Sequence, residues 1–296
     1  MTVGLFTLIG GARGIEVNSG IVRDFLARNP TLDLETKGRL LAWESELEYW
    51  EGYNAFMGSN YGRPYTEGAL YQDLKRKIAQ FINPRHGEVW FDAGCGQLLM
   101  SELIWQESEG KVKEIWAADI VLDGARRRLA QFEERMPIEL IYADLQEQLS
   151  FPDDFFDGIV ANHVFTLLIE FEGQRGAEAL KEVLREMFRI LRPGGILVWS
   201  MPRKGVSNLL GVLVSLRYIL NPLRWIRYRV PLPVAAGKTY KYTRQIERKG
   251  KKGTYVLLAK EEYEEMLASV GFVDPEWDIA FAKQCWVNRV YKPNVV

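Results

Sequence analysis

The chain has 296 residues, 47% hydrophobic and 26% charged, with a net charge of −1, which suits a globular protein of one decorated domain or a domain with a modest cap. Two widely separated cysteines, Cys95 and Cys285, argue against a disulfide framework or a Cys-x-x-Cys metal site and favour a reducing, cytoplasmic compartment. No apolar stretch reaches the roughly 20 residues of a spanning helix, and the apolar opening Val3–Gly11 has no basic leader, so neither a transmembrane segment nor a signal peptide is expected.

Residues 1–83 are predicted to form a helical extension. Leu40, Leu41, Leu47 and Trp50 recur at roughly helical spacing across 34–57, and Thr66 opens a second helix towards Phe81. Between them, Gly58-Ser59-Asn60-Tyr61-Gly62-Arg63-Pro64-Tyr65 reads as a turn. From Val89 onward short apolar runs alternate with helical segments, the βαβ pattern of a parallel sheet in an α/β fold. Strands are expected at 88–92, 114–119, 138–142, 156–161 and 195–200, with helices at 97–108, 123–135 and 176–191 and right-handed crossovers. After an insertion at 203–253, a helix from Lys260 to Val270 is closed by Gly271, and two further strands follow at 272–281 and 284–291. The expected divisions are thus 1–83, a core at 84–202, the insertion at 203–253, and the rest of the core at 254–296.

The stretch that carries chemistry is Val89-Trp90-Phe91-Asp92-Ala93-Gly94-Cys95-Gly96-Gln97. Glycines at a strand end let backbone approach a ligand closely, and ligands of open α/β sheets sit at the carboxyl ends of strands. A dinucleotide loop would prefer a third glycine and no acid; Asp92 would repel phosphate, so a cationic ligand fits better. With Asp119 ending the second strand, Asp144 after the third and Leu191-Arg192-Pro193-Gly194-Gly195 before the fifth, the region 92–200 resembles the class I S-adenosylmethionine-dependent methyltransferases. The departure is Gln97, where many members carry another glycine.

The resemblance implies a doubly wound, mostly parallel seven-stranded sheet ending in an antiparallel hairpin, and S-adenosyl-L-methionine as cofactor. It implies that Asp92, Gly94, Cys95 and Gly96 wrap the methionine part and balance its ammonium group. Asp119 would bond the ribose hydroxyls with Ile120 against the adenine, Asp144 and Leu145 would meet the adenine, and Asn162 would lie along the methionine part and the acceptor. The N-terminal helices would form a lid that brings Tyr61 and Tyr65 to the methyl-transfer chamber. Methyl transfer from a sulfonium mainly demands alignment, with acid–base help only where the acceptor is protonated. His163, after the fourth strand, is the candidate base; its bland alternative is packing or a backbone bond. Asp153, Asp154 and Asp157 lie at the wrong end of that strand for a catechol-type metal site, so no metal is expected.

The insertion carries 13 Lys and Arg against one acid, Glu247, a net +12 that leaves −13 for the remainder. Leu209–Leu220 is nearly all apolar, and Leu223-Arg224-Trp225-Ile226-Arg227-Tyr228-Arg229 interleaves apolar residues with arginine. This suits an element lying on an anionic membrane, with Leu216, Trp225 and Ile226 inserted and the arginines on lipid phosphate; the alternative is a cap packed on the sheet domain. The expected activity is methylation of a lipid, quinone or other apolar small molecule. One alternative is an RNA methyltransferase that uses Lys238–Arg244 for phosphates and base stacking. A non-catalytic cofactor-binding module is the other.

Overall fold

The computed structural model describes residues 16–132, 136–168, 170–171, 174–207, 213 and 220–294, without the side chains of Pro222, Arg224 and Trp225. The chain begins with α1 (Ser19–Arg28), capped by the Asn18 side chain, which accepts from the Ile21 N–H. Asp33 caps α2 (Leu34–Met57) in the same way through Thr36. After a single helical turn, Arg63–Thr66, comes α3 (Ala69–Phe81). One continuous helix from Thr66 is interrupted at Gly68, which is extended and lies so close to the Pro64 carbonyl that a Cβ would come within 2.7 Å of it.

The core runs β1 (Val89–Ala93), α4 (Leu99–Glu107), β2 (Glu114–Asp119), α5 (Asp123–Leu129), β3 (Ile138–Tyr142), β4 (Phe156–Asn162), α6 (Ala177–Ile190) and β5 (Leu191–Pro202). Next come α7 (Pro222–Tyr228), α8 (Leu232–Lys251), α9 (Lys260–Val270), β6 (Val273–Ala280) and β7 (Cys285–Tyr291). The strands form one seven-stranded sheet in the order β3-β2-β1-β4-β5-β7-β6, parallel except that β7 is antiparallel to both its neighbours. The doubly wound sheet and its C-terminal hairpin are therefore as expected.

Two boundaries differ. The fifth strand starts at Leu191 rather than 195, because Phe156 pairs with Leu191 and Gly158 with Ile196, and the irregularity absorbs the Pro-Gly-Gly stretch. The second core helix ends at Leu129 rather than 135: the N–H groups of Gln131 and Phe132 turn to carbonyls three residues back, which tightens the chain out of the α-helix.

Side-chain alternation along β1 feeds two cores. Val89, Phe91 and Ala93 pack with α6 and α9, whereas Trp90 packs with α3 and α4 on the other face. Trp90 pairs with Gly158 of β4, where a Cβ would lie 2.5 Å from the indole ring; glycine makes room for the tryptophan. Above the strand ends, α8 does not pack on the sheet. It lies on α2: the Tyr242 ring stacks on Phe56 at 5.2 Å, its hydroxyl donates to the Gly52 carbonyl at 3.0 Å, and the Tyr49 hydroxyl donates to the Tyr242 carbonyl at 3.0 Å. Lys249 pairs with Glu46 beside Tyr255. The N-terminal extension and the insertion thus form one roof. Residues 209–212 and 214–219 of the expected apolar run lie outside the described residues. Among the described residues, no helix is long and apolar enough to cross a membrane.

Candidate active site

The carboxyl ends of β1, β2 and β4 meet the underside of this roof and enclose a cavity of about 400 Å³. On its floor the chain leaves β1 with φ +76° at Gly94 and +48° at Gly96, and the two glycines serve different ends. A Cβ on Gly94 would lie 2.3 Å from Val164, so this glycine permits packing. A Cβ on Gly96 would find only Asn54 Oδ1, at 4.0 Å, and would take up open cavity.

The Gly96 N–H donates to Asp119 Oδ2 at 2.9 Å and the Val121 N–H to Oδ1 at 2.9 Å, which fixes the carboxylate at the end of β2. Burial raises its pKa, against the pull of those N–H groups. Asp144 accepts from the Gln146 N–H at 2.9 Å and is likewise raised by burial. Cys95, Ile120 and Leu145 line the same wall; burial pushes the Cys95 thiol up. Asp92 stands behind the wall, 1% exposed. Its Oδ2 accepts from the Ser101 N–H at 2.9 Å and hydroxyl at 2.6 Å, while Oδ1 is buried with no partner among the described residues. Burial pushes its pKa up to about 7.

At the end of β4, Asn162 is clamped: Nδ2 donates to the Tyr71 hydroxyl at 2.9 Å, and Oδ1 accepts from Ser200 Oγ at 2.7 Å. The next residue, His163, lines the cavity in the left-handed region, φ +59°, its N–H donating to the Ser200 carbonyl at 3.1 Å. Its Nε2 lies 3.8 Å from Cys285 Sγ, and Nδ1 is buried without a partner among the described residues. Burial lowers its pKa to about 4, so the ring is neutral at pH 7. Beyond it the cavity is aromatic, with Trp50, Tyr53, Tyr65, Tyr240 and Phe281. Among the described lining residues there is no lysine or arginine, while Glu46, Asp119, Asp144 and Glu247 are acidic. The cavity thus carries acidic groups on both its floor and its roof and an aromatic lining between them.

The structure brings Gly94, Cys95, Gly96, Asp119, Ile120, Asp144, Leu145, Asn162, His163 and Tyr65 to one cavity. Two expectations are corrected: Asp92, expected to balance the cofactor's ammonium group, lies behind the cavity wall because its carboxylate turns to Ser101 in the first turn of α4, and the other is Tyr61. It packs against Tyr228, Val230, Leu232 and Ala235, its ring 3.9 Å below Lys238 Nζ, and it is not on the cavity wall. The cause is the reversal at Gly62, where a Cβ would lie 2.4 Å from the Met57 carbonyl; the chain turns so tightly that the two tyrosines meet different neighbours. Sequence reasoning missed Tyr71, Tyr240 and Cys285, and it passed over Gln97, whose Nε2 donates to Asn54 Oδ1 at 2.9 Å and ties the glycine loop to the roof. Gly124 was the available signal for Gln97, since a Cβ there would sit 1.8 Å from that Nε2. The tyrosines assigned to base stacking are used internally, Tyr240 on the cavity and Tyr242 against α2.

Residues 91–199, which span this floor from β1 to β5, match the family model described as a methyltransferase domain. The chain carries a class I S-adenosylmethionine-dependent methyltransferase domain. It is similar to a malonyl-[acyl-carrier protein] O-methyltransferase of Serratia marcescens, 28% identical over 48% of this chain and 49% of that protein. It is also similar to a ubiquinone/menaquinone biosynthesis C-methyltransferase of Laribacter hongkongensis, 35% identical over 48% of this chain and 57% of that protein. The chain thus spans about half the length of these curated relatives. Among solved structures, the N-methyltransferase NodS of Bradyrhizobium japonicum, in complex with S-adenosyl-L-homocysteine, superposes with a TM-score of 0.55 at 13% identity, over 83% of this chain and 99% of that one, a likeness of fold. The cofactor of this methyltransferase domain is S-adenosylmethionine. The residues present fit it: Gly96 leaves space that any side chain would fill, and Asp119 and Asp144 present fixed carboxylates on the cavity wall.

Proposed function

We propose that the protein transfers a methyl group to a neutral, apolar acceptor of lipid or quinone type, working as a peripheral protein at a membrane. The observation that carries this reading is the composition of the upper cavity: mostly aromatic and aliphatic side chains, with Glu46 and Glu247 as its charged groups and no lysine or arginine among the described lining residues to pair with a carboxylate or phosphate. Bound S-adenosylmethionine supplies an electrophilic methyl group on a positively charged sulfur. Asp119 and Asp144 hold the cofactor end through fixed acceptor oxygens, and Gly96 permits close approach. Asn162, locked between Tyr71 and Ser200, keeps the backbone at His163 in register with the cavity.

His163, which lines the cavity beside Cys285, is the residue placed to take the acceptor's proton. Because burial makes the imidazolium costly, this base suits an acceptor whose proton is already acidic, such as a phenol or an enol, better than an aliphatic alcohol. Bound S-adenosylmethionine would give up its methyl group to the electron pair left on the acceptor, the carbon–sulfur bond breaking so that its pair stays with sulfur in S-adenosylhomocysteine, and holding both partners in one cavity would supply much of the rate.

The test is turnover with methyl-labelled S-adenosylmethionine and a panel of short-chain quinols, phenols, fatty acids and RNA. Label in the quinol or phenol fraction is expected. Label in fatty acid or RNA alone would replace the apolar reading, and no label in any fraction with intact cofactor binding would favour a non-catalytic module.

A further inference from the structure

The insertion turns its apolar residues two ways at once. Tyr228, Val230, Leu232 and Ala235 are buried together, and Leu232 and Ala235 reach the cavity wall. Leu220, Leu223 and Ile226, by contrast, are 64%, 74% and 75% exposed. Their spacing of three places them along one side of α7 and the turn that leads into it, where Asn221 caps the helix by accepting from the Leu223 N–H. Three large aliphatic residues in a row at such exposure form a patch of the kind that marks an interaction site.

The charge around the patch selects its partner. The segment 203–253 is +12 by sequence on a body of −13. Part of this is met by the body, since Lys249 pairs with Glu46. Arg227 contacts Glu67 at 3.3 Å, but its side chain is 69% exposed, and an exposed pair of this kind holds its guanidinium only weakly. Arg229 is exposed at the end of α7, and Lys204, though it pairs with Glu262 at 3.4 Å, keeps its side chain 66% exposed.

We propose that Leu220, Leu223 and Ile226 dock the protein on an anionic bilayer, with Arg227 and Arg229 at the lipid phosphates, and that the acceptor passes from the bilayer into the cavity behind Leu232 and Ala235. The docking deepens the peripheral-membrane part of the proposed function, and the second clause rests also on its apolar-acceptor part. The chain from Ile226 to Leu232 joins the exposed patch to the cavity wall directly. Apolar atoms at the acyl boundary and guanidinium groups at the headgroups are the arrangement of an interfacial helix, and no helix among the described residues spans. Leu216 and the side chains of Arg224 and Trp225, expected from sequence to share this contact, lie outside the described residues.

The experiment is co-sedimentation of the full chain with phosphatidylcholine vesicles and with phosphatidylcholine–phosphatidylglycerol vesicles, at low and at about 0.5 M salt, where charge contacts are screened within a few ångströms. Binding to the anionic vesicles, partly retained in salt, is expected. The variant Leu220→Ser, Leu223→Ser, Ile226→Ser should lose the retained part, with affinity at least about tenfold weaker. Arg227→Gln with Arg229→Gln should reduce only the salt-sensitive part. Affinity for S-adenosylhomocysteine reports that each variant is folded and is expected to be unchanged. No binding to anionic vesicles would overturn the docking and leave the methyltransferase reading untouched, as would sedimentation of the chain without lipid through self-association. Salt-sensitive binding to RNA with no lipid dependence would overturn it too.

Discussion

The floor and the roof of the cavity are built by opposite means. The floor is local: Gly96, Asp119, Asp144 and Asn162 each stand at or just after the carboxyl end of a strand, and the parallel register of β3, β2, β1 and β4 places them side by side. The roof is remote: α2 and α8 come from segments nearly two hundred residues apart and are joined by Tyr49, Tyr242 and the Lys249–Glu46 pair. A sheet fixes its own edges through backbone bonds, so floor geometry follows from strand order, whereas roof geometry depends on side chains that must find one another. The difference assigns cofactor recognition to the floor and acceptor recognition to the roof, and variants should separate the two.

The largest effect is expected where the two meet. His163→Ala should lower kcat by about 10²- to 10⁴-fold, the range for a general base, with affinity for S-adenosylhomocysteine unchanged in calorimetry. A loss of both together would make His163 a floor residue that packs rather than transfers a proton.

The floor also carries a pH signature. In the cofactor-free protein, native Asp92 takes up its proton at about 7 against an ordinary 3.8, so it adds stability as pH falls from 7 towards 4. His163 acts in the opposite sense: the unfolded ring protonates near 6.5 and the native one only at about 4, so the fold loses stability over that interval. Each has a limiting slope of about 1.4 kcal/mol per pH unit, and the two oppose one another. Relative to the parent, Asp92→Asn should therefore lose stability on acidification from pH 6.5 to 4.5, and His163→Leu should gain it. Denaturant unfolding across that interval measures both, and parallel curves would refute the burial of either group.

Asp119→Ala should weaken S-adenosylhomocysteine binding by roughly 1.5–3 kcal/mol, the worth of hydrogen bonds to a charged acceptor. The loss also frees the Gly96 N–H, so melting of the cofactor-free protein should fall slightly as well. An unchanged calorimetric affinity would remove Asp119 from the site.

Legibility in the sequence follows the same division. The strand bounds are legible within a few residues because a strand buried on both faces, such as β1, is a short run of buried residues, and α2 is legible at Leu34–Met57 because its apolar positions recur along the helix. Asp119, Asp144 and Asn162 are picked out by the resemblance to the methyltransferase family, whose ligand positions fall at strand ends. Tyr61 could not be told from Tyr65, four residues on in the same turn, since the reversal at Gly62 is a property of packing against Met57. Tyr242 and Cys285 had no local signal: the partners that place them lie 122 or more residues away. Gln97 looked like a tolerated departure from a glycine and is the tie between floor and roof.

The smallest expected effect sharpens the comparison most. Tyr242→Phe keeps the ring on Phe56 but loses the bond to the Gly52 carbonyl, and Tyr49→Phe loses the bond to the Tyr242 carbonyl; each should cost about 0.5–1.5 kcal/mol. Because neither side chain touches Gly96, Asp119 or Asp144 in any described hydrogen bond, S-adenosylhomocysteine affinity should hold while the amides of α8 exchange faster and the KM for acceptor rises. Gln97→Gly is the contrasting variant, since it cuts the tie to Asn54 and opens the space beside Gly58 and Gly124. It should couple the two readouts, weakening cofactor binding and speeding exchange in α2 together. If Tyr242→Phe lowers cofactor affinity as much as Gln97→Gly does, floor and roof are one cooperative unit, and the division of labour between them fails.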